Sequence, residues 1–334
     1  MSDPESFRAY LLEHQGNRII GAPRHLGFDA LPPGEVLVKV RWSCVNHKDA
    51  MVTVPGNRVT RTYPLVPGVD LAGEVISSSD PDITTGSLIL ANGYDIGITR
   101  HGGFAEYARL PTGWAIGLPK GLSAREAMIM GTAGFTAAAS VEELERRGLS
   151  PGDGPVLVTG ASGGVGSLAV AILATRGYEV VASTGKTGEH GWLRSLGATK
   201  TIGRDDLEES QGRALGPERW AGAIDSVGGR TLAMVLRSLR RGATVAASGL
   251  TGGADLSTTV YPFIVRSVTL AGVDAVWMDH EHRSAIWHRL ATDMHPQDLD
   301  KIVNREVSLD EVGPALQTVL DGKIRGRILV EPEA

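Results

Sequence analysis

The sequence predicts an α/β protein, a doubly wound parallel sheet with helices on both faces joined to a β-rich unit. Three observations lead there. Residues 156–186 read as a strand, a turn of small residues, a helix and a second strand. From residue 125 onward, apolar runs of strand length alternate with segments of helical periodicity, the pattern of a parallel sheet covered on both sides. Before residue 125 the apolar runs are short and separated by clusters of Pro, Gly, Ser and Asp, which suits a compact, partly closed β-domain. A chain of 334 residues is long for one core, so two domains are expected.

In order, the run 36–42 (VLVKVRW) is a strand introduced by the turn signal Leu31-Pro32-Pro33-Gly34. Short apolar segments follow at 69–76, 88–91 and 104–110. A helix from Ala124 to Met130 leads into Gly131-Thr132-Ala133-Gly134-Phe135-Thr136-Ala137, and a longer helix continues to Arg147. Val156 to Val158 is a buried strand by its β-branched content. Val165, Leu168, Ala169, Ile172 and Leu173 recur at helical spacing, and Gly177 stops that helix. Further strands are expected at 180–182, 199–202, 223–226, 243–248 and 268–273, with helices at 231–239 and 284–291. The tail, 294–334, holds a helix near 309–320 and a closing strand at 327–330, and pattern alone leaves it with either domain.

The turn Ala161-Ser162-Gly163-Gly164-Val165-Gly166 carries the first chemistry. Against G-x-G-x-x-G, Ala161 replaces the first glycine while Gly163 and Gly166 hold the other two places. So few side chains let a pyrophosphate reach the backbone, and the helix start offers unpaired N–H groups at a positive dipole end. Ser162, Gly163, Gly164 and Val165 are the expected phosphate contacts; a phosphate-free packing turn is the alternative. An NAD site usually carries Asp or Glu about 20 residues on, for the ribose 2′-OH. Here the chain reads Ser183-Thr184-Gly185-Lys186, two hydroxyls and a cation, which accept a 2′-phosphate. NADP(H) is therefore the expected cofactor, with Arg204 on the adenosine side. A solvated surface lysine is the alternative for Lys186.

Composition narrows the setting. Apolar residues make up 42 %, charged residues 21 %, and the formal charge is −5. A net negative chain of ordinary composition argues against a nucleic-acid surface and shows no membrane-binding face. No apolar run approaches a bilayer span, and MSDPESFRAY lacks a secretory signal, so a cytoplasmic enzyme is expected. The single cysteine, Cys44, excludes an intrachain disulfide and a multi-cysteine zinc cluster.

The stretches SCVNHKDA (43–50), YPLVPGVDLAGEV (63–75), HGGFAEYARL (101–110), MIMGTAGFTA (128–137), VTGASGGVGS (158–167), WAGAIDSVGG (220–229) and GKIRGRILV (322–330) together resemble the zinc-independent medium-chain dehydrogenases/reductases. More narrowly, the chain resembles the acrylyl-CoA reductase and quinone oxidoreductase-like subfamily. That resemblance implies a GroES-like catalytic domain built from 1–124 and 294–334, with a Rossmann NADP(H)-binding domain, 125–293, inserted between. It also implies a homodimer closed by pairing of the 268–273 edge strand with its copy. Two departures are His47, where relatives usually carry Tyr, and Arg100-His101, where many carry a tryptophan. Zinc-dependent relatives supply Cys-x-x-Asp and Gly-His-Glu; the corresponding residues here are Asn46-His47-Lys48-Asp49 and Gly68-Val69-Asp70. A carboxamide and an isopropyl group do not replace a thiolate and an imidazole as zinc ligands.

Without a metal to polarise a carbonyl, the expected reaction is NADPH-dependent reduction of an activated C=C bond in a short α,β-unsaturated acyl-CoA. The resemblance points to Asn46, Asp49 and Arg327 as the catalytic polar set. Asn46 would donate to the enolate oxygen, Arg327 offset its charge, and Asp49 orient them or relay a proton. A structural Asp49–Arg327 ion pair is the alternative. His47, facing the nicotinamide ribose or else plain solvent, completes the expected cofactor contacts with Thr132 and Leu250. Two other functions stay open: a quinone or enone reductase, and an NADP(H)-binding protein without catalysis. Arg58 and Arg61 bear slightly on the first choice, since a coenzyme A ester brings phosphates to hold.

Overall fold

A computed structural model describes residues 5–210 and 213–334; the signal reading at residues 1–4 lies outside them. The chain forms two units. The first comprises Met1–Thr132, Val276–Ala285 and Val303–Ala334, and the second Ala133–Ala275 and Ile286–Ile302. The expected boundaries, 124/125 and 293/294, differ from these seams. Two helical stretches within Ala124–Arg146 meet at a kink at Gly131, next to the first of these seams.

The second unit is built on a six-stranded sheet. In spatial order its strands are Lys200–Ile202, Val180–Ser183, Val156–Val158, Trp220–Asp225, Leu239–Ala247 and Thr269–Gly272. Every pairing is parallel. The order doubles back beside Val156–Val158, the strand that feeds the small-residue turn. In open parallel sheets that reversal point is where ligands bind, outside the carboxyl ends of the strands. Val156, Leu157 and Val158 are wholly buried, as a strand covered on both faces requires.

Leu239–Ala247 begins earlier than the expected 243–248, because its register breaks. Trp220 faces Leu239 and Gly222 faces Thr244, so Ala221 alone opposes residues 240–243. The helix expected at 284–291 begins at His280, where Asp279 Oδ1 accepts the His282 N–H at 2.9 Å.

The first unit holds a seven-stranded sheet. Its strands run Val303–Val307, Arg327–Val330, Val36–Cys44, Asp70–Ser78, Leu88–Asn92 and Ile116–Gly117, and Tyr107–Leu110 also pairs with Val36–Cys44. The tail that pattern left unassigned thus contributes two strands to this sheet. A separate hairpin, Ser6–Gln15 with Arg18–Gly27, turns at Gly16 with φ of 63°. Its Phe7, Ala9 and Leu12 join Leu65, Phe104, Leu309, Val312 and Ile328 in one apolar core. The sequence reading missed this hairpin, the strand Val303–Val307 and the short helix His47–Met51.

Candidate active site

In the first unit, the ends of four segments bring a buried polar cluster together. Cys44 ends the strand Val36–Cys44, Asp70 begins Asp70–Ser78, and Arg327 begins Arg327–Val330. Asn46 and Asp49 flank the first turn of His47–Met51. Asp70 is the hub and has no exposed surface. Its Oδ2 accepts Asn46 Nδ2 at 2.8 Å, the Thr132 N–H at 2.8 Å and the Cys44 thiol at 3.1 Å. The Thr132 hydroxyl donates to its Oδ1. Arg327, 3 % exposed, donates through Nε to Ile129 O at 3.1 Å, and through Nη1 to Val45 O at 3.3 Å and Asn46 Oδ1 at 3.1 Å. Its Nη2 lies 2.8 Å from Cys44 Sγ and 3.8 Å from Asp70 Oδ2. A buried guanidinium beside a buried carboxylate is tolerable only with its remaining donors satisfied, and here they are largely satisfied. Burial pushes the Cys44 thiol well above its ordinary pKa, against the pull of Arg327, so the sulfur stays protonated at neutral pH.

Asp49 acts elsewhere. Its Oδ2 accepts the Asn46 N–H at 2.7 Å, while Oδ1 accepts the N–H groups of Gly68 and Val69 at 3.0 and 2.9 Å. It therefore clamps the 46–49 turn to the 68–69 turn. Burial raises its pKa to about 7, with those three N–H groups working in the opposite direction. Among the described residues no ion pair joins it to Arg327; Asp70 takes that place. Asn46 also departs from the expected picture, since its amide already donates to Asp70 and, at 3.3 Å, to Cys44 O.

Gly131 closes the cluster. With φ of 49° and ψ of −155° it breaks the helix directly above these groups. A Cβ there would meet Asp70 Oδ2 at 2.5 Å and Cys44 Sγ at 2.7 Å. Two nearby residues have plainer surroundings. His47 is exposed, and His101 Nδ1 accepts the Val66 N–H at 3.2 Å, which leaves the ring proton on Nε2 in the neutral form. Arg58 and Arg61 are exposed, Arg61 being bonded to Asn57 O at 2.6 Å.

In the second unit, Val156–Val158 runs into a turn where Gly160 takes φ of 59°. The helix Gly164–Thr175 starts at Gly163 with no side chain capping it, so its first N–H groups face outward. A Cβ on Gly166 would strike Gly160 O at 2.3 Å, so only glycine allows this approach of helix to strand end. Ser162 and Thr184, both buried, share a hydrogen bond at 2.8 Å, and Thr184 Oγ1 accepts the Lys186 N–H at 3.1 Å. Burial lowers the Lys186 pKa somewhat, against the pull of Glu189. The Arg204 guanidinium lies over Gly185, with Nη2 at 3.1 Å from where a Cβ would stand. Leu250 is 66 % exposed, in a loop tied to the next one by Gly252 N–H to Val227 O at 2.7 Å.

Residues 32–120 match the family described as "Alcohol dehydrogenase GroES-like domain", and 164–290 that described as "Zinc-binding dehydrogenase". Acrylyl-CoA reductase AcuI of Ruegeria pomeroyi is 44% identical over 96% of this chain and 97% of its own length. The chain belongs to the medium-chain dehydrogenases/reductases. Among solved structures, Bacillus subtilis yhfP with NAD bound superposes with a TM-score of 0.96 at 45% identity, covering 98% of this chain and 100% of that one. The yhdH oxidoreductase of Salmonella enterica in complex with NADP gives 0.94 at 44% identity, covering 97% and 99%.

This membership raises two tests of fit. Zinc does not fit: the residues at the family's ligand positions are Asn46 and Val69, and among the described residues no group of three His, Cys, Asp or Glu converges to hold a metal. A dinucleotide does fit, because the uncapped helix start and the Gly166 approach form a cradle that side chains would fill.

The catalytic candidates Asn46 and Arg327 meet directly, while Asp49 reaches them only through the backbone of Asn46. Of the cofactor candidates, His47 and Thr132 belong to the first unit and the others to the second. Sequence reasoning missed Asp70 as the hub, although PGVDLAGEV displays it. It also missed Asp225, buried at the end of Trp220–Asp225, where it accepts Thr159 Oγ1 at 2.6 Å and the Gly228 N–H at 2.7 Å. Burial raises the Asp225 pKa against those bonds. A lone acid at one terminus of a strand, the first residue for Asp70 and the last for Asp225, was the available signal.

Proposed function

We propose that the protein is an NADPH-dependent, zinc-independent reductase of short α,β-unsaturated acyl-CoA thioesters. The observation that carries this reading is the Asn46–Asp70–Thr132–Arg327 cluster, a guanidinium, a carboxylate and neutral donors gathered at the segments that correspond to the zinc-ligand motifs of metal-dependent relatives. The likeness to acrylyl-CoA reductase supports it. When bound, NADPH supplies a hydride to the β-carbon of the substrate, and a proton taken up at the α-carbon completes the saturated thioester.

The chain's own residues answer the charge that develops on the thioester oxygen. Arg327 offsets it from its buried position. Thr132, half-buried, is the more accessible neutral donor of the cluster. Its hydroxyl turns from Asp70 to the substrate by rotation about one bond, while the Thr132 N–H keeps its hold on Asp70 Oδ2. Asn46 holds Asp70 through its Nδ2 and keeps Arg327 in register through its Oδ1. Asp49 positions the 46–49 turn through the backbone N–H groups that its oxygens accept. In the second unit, Ser162, Gly163, Gly164 and Val165 hold the pyrophosphate. Ser183, Thr184, Lys186 and Arg204 hold the 2′-phosphate, which no acid at the strand end repels.

The reading includes a cytoplasmic homodimer that uses neither nucleic acid nor membrane. No described helix is long and apolar enough to cross a bilayer. The edge strand Thr269–Gly272 is flanked by exposed Val260 (64 %) and Ile264 (72 %), an apolar margin that a second copy would cover. A monomeric mass in light scattering at micromolar concentration counts against the dimer.

Turnover of acrylyl-CoA, acrolein and a benzoquinone with NADPH tests the reaction. Acrylyl-CoA is expected to have the highest kcat/KM, because binding of its remote coenzyme A part aligns the acyl group. Asn46→Ala and Arg327→Ala should each lower kcat by on the order of 10²–10³ while leaving NADPH binding nearly intact. A quinone that outperforms acrylyl-CoA would replace the thioester reading with a quinone reductase.

A further inference from the structure

The bulge in the second unit's sheet builds a cavity at the amino ends of the strands, opposite the small-residue turn. Four residues, Arg240 to Ala243, stand against Ala221 alone, and Gly242 takes φ of 75° to let the chain loop out. Bulges of this kind re-aim side chains and often sit beside functional sites. Here the looped residues line a cavity of about 250 Å³ with Leu144, Arg147, Leu149, Asp153 and Ala221. Three arginines and one aspartate thus line one space, Arg147 and Arg241 being exposed.

The guanidiniums are placed in different ways. Arg240 donates through Nη1 to Asp153 O at 2.6 Å, and it lies so close over Gly154, at φ of 122°, that a Cβ there would stand 2.3 Å from Nη1. The same device, an arginine laid over a glycine, holds Arg204 over Gly185 at the other end of the sheet. Arg147 is anchored through Nε on Glu143 Oε1 at 2.6 Å. The Arg241 guanidinium makes no hydrogen bond or ion pair among the described residues; only its backbone N–H is engaged, on Glu218 Oε2 at 2.9 Å. The acid in the lining, Asp153, is turned to the backbone, with Oδ2 accepting the Ser150 N–H at 2.8 Å. Among the lining residues three guanidiniums stand with one carboxylate beside Leu144, Leu149 and Ala221, while Glu143 and Glu218 lie outside the lining, on Arg147 and on the Arg241 backbone.

We propose that this cavity binds a small organic phosphate monoester. Arg240 and Arg241 would grip the phosphate, and the organic end would lie on the leucines. Ala221 to Asp225 alone spans about 13 Å of strand between the cavity and the carboxyl ends beside the dinucleotide turn, so the two sites are separate. The site is independent of the reaction proposed above.

Calorimetric titration of the full chain, saturated with NADPH to fill the cofactor's phosphate pockets, tests the proposal. Phenyl phosphate is expected to bind saturably at one site, at least threefold more tightly than inorganic phosphate. Arg241→Glu, which breaks no described side-chain contact, should weaken that binding at least tenfold with NADPH affinity unchanged. Arg240→Gln should weaken it as well. Equal binding by the parent and Arg241→Glu overturns the proposal, as does parity with inorganic phosphate or the absence of saturation.

Discussion

Replacing Gly131 with alanine is the sharpest test of the candidate active site, because two costs fall on one methyl group. The backbone conformation, φ of 49° and ψ of −155°, is one that side-chain-bearing residues scarcely enter. Holding alanine there costs about 1–3 kcal/mol. The added Cβ would also stand 2.5 Å from Asp70 Oδ2, 2.7 Å from Cys44 Sγ and 3.0 Å from Arg327 Nη2. None of the three yields easily: Asp70 is pinned by Asn46 and Thr132, Cys44 ends a strand, and Arg327 is bonded on several sides. Overpacking of a close-fitted interior costs about 1–3 kcal/mol more. The sum, about 2–6 kcal/mol, is a large part of the stability of a typical domain. Urea unfolding followed by circular dichroism measures it, with Gly113→Ala as the control, since a Cβ at Gly113 meets nothing within 4 Å. The variant's surviving fraction should also lose turnover, because its methyl group displaces the hub carboxylate. A Gly131→Ala protein as stable and as active as Gly113→Ala would refute the claim that this cluster is tightly determined.

Other outcomes follow from single groups. Lys186→Ala should weaken NADPH by about 1.5–3 kcal/mol and NADH hardly at all, as read by fluorescence titration; equal loss for both nucleotides would remove Lys186 from the phosphate pocket. Asp49 has a pKa raised to about 7 by burial, against about 3.9 in an unfolded chain. The folded protein then holds a proton that the unfolded chain has released. Its contribution is complete below about pH 4 and is lost as pH rises through 7, by at most about 4 kcal/mol. Urea midpoints for the parent should fall from pH 5 to pH 8 by more than those of Asp49→Asn, and parallel profiles would contradict this.

The second unit was legible because its signals are local. The strand, turn and helix from Val156 onward are contiguous in the chain, and the strands found at 180–183 and 200–202 fall within one residue of the sequence reading. The bulge at 240–243 was not legible, since it exists only as a mismatch with Trp220–Asp225. The hairpin at 6–27 carried a turn glycine, Gly16, but its second strand is largely polar or half-exposed and lacks a clean alternation. Asp70 illustrates the harder limit. Its partners lie 24, 26 and 62 positions away, so the hub appears only when three segments close around it. The resemblance grouped Asp49 with Arg327, an ion pair between them being the alternative, and backbone N–H groups, which no sequence pattern displays, claimed Asp49 instead.

The arrangement of Arg327 also sets an order of events during synthesis. Cys44 and Arg327, in contact in the finished first unit, are separated by 283 positions. At ordinary ribosomal rates of about 5–20 residues per second, Cys44 waits on the order of 15–60 s for its arginine. Through that interval the nascent first unit carries the Asp70 carboxylate without its guanidinium neighbour, and the Ser43–Cys44 end of the strand without its partner Leu329–Val330. Nearly all of the second unit, whose main segment is Ala133–Ala275, has left the ribosome by then. The second unit can thus mature while the first is still incomplete, and a chain cut short before Arg327 would keep the small-residue turn of the second unit while the Asp70 cluster lacks its guanidinium.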